Sequence, residues 1–176
     1  MKKIVVNDTN VFIDLFNVGL LEELFALPWE VHTTDLVMLE LQREEQKEIV
    51  ARYQSEGRLH IPVFEPEEMI VMAEMKIRAG VSITDCSVWY YAKVNNYILL
   101  TGDGKLRKSS LLDGVEVHGI IYVFDELVES GILQKTTAAE RLKELWKSNP
   151  RLPKEEIEKR INIWSIIEEG EEPMIQ

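Results

Sequence analysis

Four acidic side chains stand where carboxylates of an α/β protein would meet a ligand. Asp8 follows the apolar β-branched run 4–6 through Asn7, and Asp103 follows the apolar run 97–100 through Thr101-Gly102. Glu40 and Asp85 lie near the starts of two segments with helical spacing. Ligands of open α/β sheets bind outside the carboxyl ends of strands, where the strand order reverses. We therefore expect these four acids to converge on one pocket.

Clustered carboxylates require a proton or a cation. Two carboxylates about 4 Å apart repel each other by roughly 4 kcal/mol at an effective dielectric constant near 20. Ligation by oxygen atoms alone suits Mg²⁺ or Mn²⁺ and does not suit zinc. One or two such ions orient a phosphodiester, activate a water molecule and stabilise the leaving oxygen. The four acids thus indicate metal-assisted phosphodiester chemistry.

Each acid also has a purely structural interpretation. Asp8 and Asp103 fit turn or helix N-cap positions, and Asp85 stands three residues after Ser82, the spacing of a capping box. The neighbours of Glu40 between Leu36 and Leu41 are apolar, so we expect that turn to be buried and the carboxylate to need a partner. Arg43 or Lys47, at helical spacing, could supply a structural ion pair.

The elements that position these acids alternate between strands and helices, which predicts an α/β fold with a parallel sheet covered on both faces. Pro62 cannot donate to a ladder, so its strand should lie at an edge of the sheet. Gly57 ends a single predicted helix over 35–56. The predicted strands are 4–6, 29–33, 59–64, 97–100 and 115–118, and the other helices include 66–79, 82–95, 103–112, 121–129, 136–148 and 153–167.

Composition narrows the class of protein. The 176 residues are 45% apolar and carry a formal net charge of −11. No apolar run approaches the roughly 20 residues of a membrane span, and nothing resembles a signal peptide. Cys86 is the single cysteine, which excludes an intrachain disulfide and predicts a reducing, cytoplasmic location. The acidity opposes coating of nucleic acid by bulk charge, but it does not oppose an enzyme that holds a phosphodiester through cations.

The motifs around the four acids resemble those of the PIN-domain nucleases, a family that includes the VapC-type toxins of toxin–antitoxin pairs. The matching segments are Asn7-Asp8-Thr9-Asn10, Leu39-Glu40-Leu41, Thr84-Asp85 and Thr101-Gly102-Asp103. The resemblance covers about residues 3–130, and the segment 119–131 resembles a prokaryotic PIN subgroup of unassigned function. It implies a three-layer α/β/α fold whose five-stranded parallel sheet has its edge strand at 59–64.

The same resemblance implies an activity and site roles. It implies Mg²⁺- or Mn²⁺-dependent endonucleolytic hydrolysis of RNA, with Asp8, Asp85 and Asp103 as metal ligands and Glu40 as a ligand or water-orienting base. Products would carry a 5′-phosphate and a 3′-hydroxyl. The polar residues that orient the acids or bind water would be Thr9, Asn10 and Thr101. Three bases that closely follow Asp103 are candidates for phosphate contacts, with a solvated helix face as their alternative: Lys105, Arg107 and Lys108.

Domain organisation and partners complete the expectations. We expect a PIN-like domain over 1–148, followed by a helical extension with an acidic tail over 149–176. The resemblance implies an RNA substrate, an antitoxin protein as a possible partner, and a homodimer. We interpret Cys86 and the three histidines as structural: His32, His60 and His118.

Two other functions share parts of the pattern. A PIN-like module could bind RNA or a protein without cutting, which the net charge and the unexplained tail would suit. A phosphoryl-transfer domain of the haloacid dehalogenase or response-regulator type also has acids at strand ends. The dehalogenase type, however, requires a second aspartate two residues after Asp8, where this chain has Asn10.

Overall fold

The computed structural model describes residues 2–165, and within this range the strands form one parallel sheet. The strand order is β3-β2-β1-β4-β5, and every neighbouring pair is parallel. Both the alternation of elements and the five-stranded sheet are confirmed. The strands are β1 (Lys3–Asn7), β2 (Trp29–His32), β3 (Leu59–His60), β4 (Ile98–Leu100) and β5 (Val117–His118).

Helices cover both faces of the sheet, as the buried residues of β1 and β4 require. Val5, Val6, Leu99 and Leu100 have no exposed surface, which is typical of strands packed on both sides. The helices in the described range are α1 (Thr9–Asn17), α2 (Leu21–Ala26), α3 (Asp35–Glu40), α4 (Glu44–Ser55), α5 (Pro66–Ala79), α6 (Ile83–Asn95), α7 (Gly104–Leu112), α8 (Ile120–Glu129), α9 (Lys135–Ser148) and α10 (Lys154–Trp164). None of them has the length and hydrophobicity needed to cross a bilayer.

The strand order reverses between β1 and β4. β2 and β3 extend the sheet on one side of β1, whereas β4 and β5 extend it on the other side. Asp8 follows β1 and Asp103 lies three residues beyond Leu100, the end of β4. The two aspartates therefore flank the switch point at which ligands of doubly wound sheets bind.

The edge strand is confirmed, but it is shorter than predicted. β3 is an edge of the sheet and spans Leu59–His60, whereas the prediction extended to residue 64. Pairing with β2 stops where Pro62 would have to follow, because proline has no N–H to offer a ladder.

The single helix predicted over 35–56 is wrong. α3 ends at Glu40, residues 41–43 are non-helical, and α4 begins at Glu44. Leu41 leaves the helix in an extended conformation and its side chain is 2% exposed. The break directs Leu41 into the core, and it leaves Glu40 exposed at the end of α3.

The C-terminal helix packs against the rest of the domain. In α10, Ile157 is fully buried, and Arg160 donates from Nε and Nη2 to both carboxylate oxygens of Asp125 on α8, each at 2.7 Å. Residues 166–176, including the predicted acidic tail and the last two residues of the predicted helix 153–167, lie outside the described residues.

Replacing Arg160 with Ala should lower the free energy of unfolding by about 1–2 kcal/mol. The ion pair with Asp125 is bidentate, but about a quarter of each side chain is exposed, which limits its contribution. Urea unfolding measures the change. Lys154→Ala is the control, because its pair with Glu158 is 3.7 Å long and largely exposed; we expect less than about 0.5 kcal/mol there. Equal effects of the two substitutions would show that Arg160 does not anchor α10.

Candidate active site

Asp8 is the buried centre of the site. Its side chain at the end of β1 is held by three donors, and the residue is 2% exposed. Oδ1 accepts from the backbone N–H of Thr9 at 2.7 Å, and Oδ2 accepts from Oγ1 of Thr101 at 2.7 Å and from Nδ2 of Asn10 at 3.4 Å. These bonds fix the orientation of the carboxylate.

Thr101 joins the ends of the two central strands. It is fully buried, and while its hydroxyl donates to Asp8, its oxygen accepts from the backbone N–H of Asp103 at 3.0 Å. One hydroxyl thus connects the aspartate after β1 to the backbone of the aspartate beyond β4. Thr9, Asn10 and Thr101 each hydrogen-bond to an acid of the predicted quartet.

The charge of Asp8 is destabilised in the absence of a cation. The pKa of Asp8 is raised from 3.8 to about 6, chiefly because burial disfavours the charge and also because Asp85 is negative, while the hydrogen bond from Thr101 opposes both effects. A nearby cation favours the ionised form of a carboxylate and would offset these effects. The surroundings of Asp8 therefore suit a bound positive charge.

Glu40 and Asp85 face the same open cavity as Asp8. This cavity has a volume of about 500 Å³ and is also lined by Thr9 and Asn10. Glu40 Oε2 accepts a 2.6 Å hydrogen bond from Oγ1 of Thr9. Three of the four predicted acids are therefore brought to one cavity by the ends of β1 and α3 and the start of α6.

Asp103 lies in the wall of an adjoining cavity. This second cavity measures about 470 Å³ and is lined by Asp103, Thr101 and residues of the α9–α10 connection, and Asn10 lines both cavities. Among residues 2–165, no three of the four acids each bring a carboxylate oxygen within 4.8 Å of the others. The quartet thus surrounds the switch point at a wider spacing than a closed ligand cage.

The capping interpretation of the three aspartates is also confirmed, and it is compatible with a site. Asp8 and Asp103 are the N-caps of α1 and α7, and Asp85 forms a capping box with Ser82 at the start of α6. Asp85 uses only Oδ2 and Asp103 only Oδ1 for these bonds. The second oxygen of each makes no hydrogen bond within the described range, so the cap orients the side chain and leaves a ligand atom.

The structural interpretation of Glu40 is wrong in two respects. The turn is not buried: Glu40 is exposed and Leu39 is 79% exposed, because the chain turns at residue 41. The proposed partners are engaged elsewhere. Lys47 pairs with Glu44 at 2.7 Å, and the guanidinium of Arg43 lies 5.7 Å from the ring centre of Phe16.

The three bases after Asp103 have different surroundings. Lys105 Nζ donates to the carbonyl of Gly80 at 2.6 Å, and Arg107 donates to the carbonyls of Val117 and Thr101 at 3.2 and 3.3 Å. Burial lowers the pKa of Arg107. Lys108 is exposed and makes no contact of this kind within residues 2–165, so its ammonium group is not engaged by the part of the protein that the structure describes.

Two groups of polar residues were not predicted. Glu30, His32 and His60 lie together at the edge of the sheet. Asn149 donates to Asp14 at 3.1 Å beside the cavity of Asp103. The alternation Glu30-x-His32 was visible in the sequence, but its proximity to His60 depends on the pairing of β2 with β3.

Comparison with known proteins identifies the family. The sequence profile of the PIN-domain family DUF3368 matches residues 4–165, and the chain therefore belongs to this family. The match includes α10, beyond the range over which the motifs alone indicated a resemblance. Members of the PIN family are generally nucleases. No curated protein is significantly similar in sequence.

One solved structure supports the fold, and two others show weaker similarity. PAE2754 from Pyrobaculum aerophilum is 13% identical, and the similarity covers 73% of this chain and 99% of that chain with a TM-score of 0.50. VapBC2 from Rickettsia felis, crystallised with a DNA fragment from its promoter, is 16% identical and has a TM-score of 0.46 over 66% of this chain and 98% of that chain. FitAcB from Neisseria gonorrhoeae is 17% identical and has a TM-score of 0.42 over 67% of this chain and 99% of that chain. The first of these confirms the PIN-like α/β/α fold.

Proposed function

We propose that this PIN-domain protein is an endoribonuclease that depends on Mg²⁺ or Mn²⁺. The observation that carries the proposal is the environment of Asp8, a buried carboxylate whose pKa is raised to about 6 beside Asp85 and which shares a cavity with Glu40. The role of Asp8 as the N-cap of α1 does not offset the repulsion from Asp85. A cation site does, because the ion compensates the repulsion.

The donor set fits the proposed ions. The cavity presents carboxylate oxygens of Asp8, Asp85 and Glu40, with Asp103 across Thr101, and no nitrogen or sulfur ligand is among the quartet. Hard oxygen ligands of this type suit Mg²⁺ and Mn²⁺. In our proposal Asp8, Asp85 and Asp103 hold the ion or ions, and Glu40 serves as a ligand or as a base.

The side chains around the cavity have different roles in the proposed hydrolysis. A bound divalent ion would supply a lowered pKa for a water molecule and charge stabilisation on the phosphodiester. Thr9 holds Glu40 through Oε2, which leaves Oε1 to orient the attacking water and accept its proton. Attack in line with the leaving oxygen yields a 5′-phosphate and a 3′-hydroxyl. Thr101 and Asn10 keep the Asp8 carboxylate in position throughout.

Cleavage of a labelled oligonucleotide tests the proposal. Purified protein should cut single-stranded RNA with Mn²⁺ or Mg²⁺ and lose this activity in EDTA. Single-stranded DNA of the same sequence is the control for substrate class. Binding of RNA without cleavage at any Mn²⁺ concentration would instead favour a non-catalytic PIN module.

Lys108→Ala should weaken RNA binding without changing the chemical step. We expect KM for single-stranded RNA to rise about 2–5-fold with kcat unchanged, and the slope of log affinity against log salt to fall by roughly 0.7, the contribution of one phosphate contact. Lys47→Ala is the matched control, because Lys47 is an exposed lysine of α4 paired with Glu44. An unchanged KM and salt slope for Lys108→Ala would remove it from the substrate site.

We further propose that the protein is the toxin of a cytoplasmic toxin–antitoxin pair and forms a homodimer. The family resemblance motivates both. Helix α5 supports a protein partner, because it exposes apolar side chains such as Ile70 (61%) and Ile77 (85%). Light scattering after size exclusion tests the dimer, and a short DNA-binding protein encoded by the neighbouring reading frame would support the toxin assignment. A monomer, or no such neighbour, would contradict the respective proposal.

A further inference from the structure

Three metal-ligating side chains lie at the edge of the sheet, outside the acidic quartet. Glu30 and His32 are alternate residues of β2 and so point to the same face. His60 stands opposite His32 in the parallel register of β2 and β3. The pairing of these two strands therefore brings two imidazoles and one carboxylate together.

The ligand atoms are close to the spacing of a tetrahedral ion. Oε1 of Glu30 lies 3.0 Å from Nε2 of His32 and 4.0 Å from Nε2 of His60, and all three potential ligand atoms lie within 4.8 Å of one another. Metal–ligand bonds of about 2.0–2.1 Å in a tetrahedron place ligand atoms about 3.3 Å apart. The observed distances bracket this value. The rings of His32 and His60 are stacked with their centres 4.7 Å apart, so rotation of the exposed His60 ring out of the stack would close the site.

Tyr91 is a hydrogen-bond partner of the second ring nitrogen of His32. Its hydroxyl lies 2.9 Å from Nδ1 of His32. With a cation on Nε2, the ring proton is on Nδ1, where the Tyr91 oxygen accepts it. Such a second hydrogen bond fixes the tautomer and the ring orientation of a metal-bound histidine.

We propose that Glu30, His32 and His60 form a second metal site that binds Zn²⁺. Two imidazole nitrogens and one carboxylate oxygen suit Zn²⁺, whereas Mg²⁺ prefers oxygen ligands alone. His60 is 45% exposed, which leaves a fourth position open to water. The bound ion would fasten the two-residue edge strand β3 to β2.

Zinc titration in excess Mg²⁺ tests this site, because under the proposed function Mg²⁺ would occupy the acidic quartet. Calorimetry should show one Zn²⁺ per chain, and Co²⁺ should give the visible absorption of a four-coordinate ion. His60→Ala should weaken Zn²⁺ binding at least about 100-fold, since it removes a direct ligand, and Tyr91→Phe should weaken it about 10-fold. His60 is partly exposed, so its replacement preserves the fold, which circular dichroism verifies.

His118→Ala is the matched control. His118 also has a glutamate two residues earlier, Glu116, at 2.8 Å, but no second histidine joins that pair within residues 2–165. Its replacement should leave Zn²⁺ affinity unchanged. Equal affinity of His60→Ala and the wild type, or no Zn²⁺ binding in excess Mg²⁺, would overturn the proposal. Loss of the Zn²⁺ signal in Asp8→Asn would also overturn it, because the ion would then lie in the acidic quartet.

Discussion

Asp8→Asn is expected to slow Mn²⁺-dependent RNA cleavage by more than about 100-fold. Loss of a group that only orients a metal ligand costs about 10–100-fold, and Asp8 is proposed to be a ligand itself. The amide has nearly the same shape, so the cavity should keep its form. Single-turnover cleavage at saturating Mn²⁺ measures the effect, and near-wild-type cleavage would contradict the role of Asp8.

The same substitution should stabilise the metal-free protein. Because the pKa of Asp8 rises from 3.8 to about 6 on folding, the native state binds this proton more tightly than the unfolded state. Ionisation of Asp8 therefore lowers the free energy of unfolding. This loss grows as pH rises from about 4 to 6 and reaches about 3 kcal/mol at pH 7. Asparagine removes it, but its amide mismatches the hydroxyl of Thr101, which costs about 1 kcal/mol. The expected net gain at pH 7 is about 1–2 kcal/mol.

Urea unfolding in EDTA at two pH values measures this gain. It should be present at pH 7 and about half lost or more by pH 5, where the carboxylate penalty is smaller. Asp35→Asn, at an exposed aspartate in the first turn of α3, should give no such gain. Destabilisation by Asp8→Asn at pH 7 would show that the Asp8 charge is already compensated by the protein alone.

Thr101→Val should reduce both activity and stability. Valine keeps the shape of threonine but removes the hydroxyl that donates to Asp8 and accepts from the N–H of Asp103. We expect cleavage to fall about 10–100-fold, because the ligand loses its orienting bond. The free energy of unfolding should fall by about 1–3 kcal/mol, since the Asp103 N–H and the Asp8 carboxylate each lose a buried partner.

Thr101→Ser separates the hydroxyl from the methyl group. Serine retains both hydrogen bonds, so we expect most of the activity to remain, with a stability loss of about 1 kcal/mol for the missing methyl. The apparent Mn²⁺ affinity should fall in Thr101→Val and stay near the wild-type value in Thr101→Ser. If the two variants lost activity equally, the methyl group and not the hydroxyl would matter at this position.

The fold was predictable where local signals agree. Alternating apolar strands and helices, and Pro62 at an edge, led to the correct sheet. The break after Glu40 was not predictable in this way, because no glycine or proline marks residues 41–43. Leu41 leaves the helix to reach the core, and that choice depends on tertiary packing.

The site, too, was predictable only in the features that local sequence determines. Spacing placed Asp8 and Asp103 at the correct ends of β1 and β4, because parallel strands end at one edge of the sheet. The burial of Asp8 and the bridging hydroxyl of Thr101 depend on contacts across 93 positions of sequence. The bond of Lys105 to a carbonyl of the α5–α6 connection is likewise nonlocal.

Part of the negative charge of the chain is concentrated at this site. The net charge of −11 includes four carboxylates around the switch point, and one of them, Asp85, raises the cost of ionising Asp8. Bulk charge does not draw RNA to such a surface. Recognition would instead depend on bound cations and on a few exposed bases such as Lys108.

The dependence of RNA cleavage on Mn²⁺ tests the central claim most directly. Cleavage of an end-labelled single-stranded RNA is measured across a Mn²⁺ titration, with bound Mn²⁺ counted by electron paramagnetic resonance in the same samples. We predict that the cleavage rate rises in proportion to Mn²⁺ bound, that both saturate together, and that Asp8→Asn lowers both. Cleavage that persists in EDTA, or that stays at zero when Mn²⁺ is fully bound, would contradict the account.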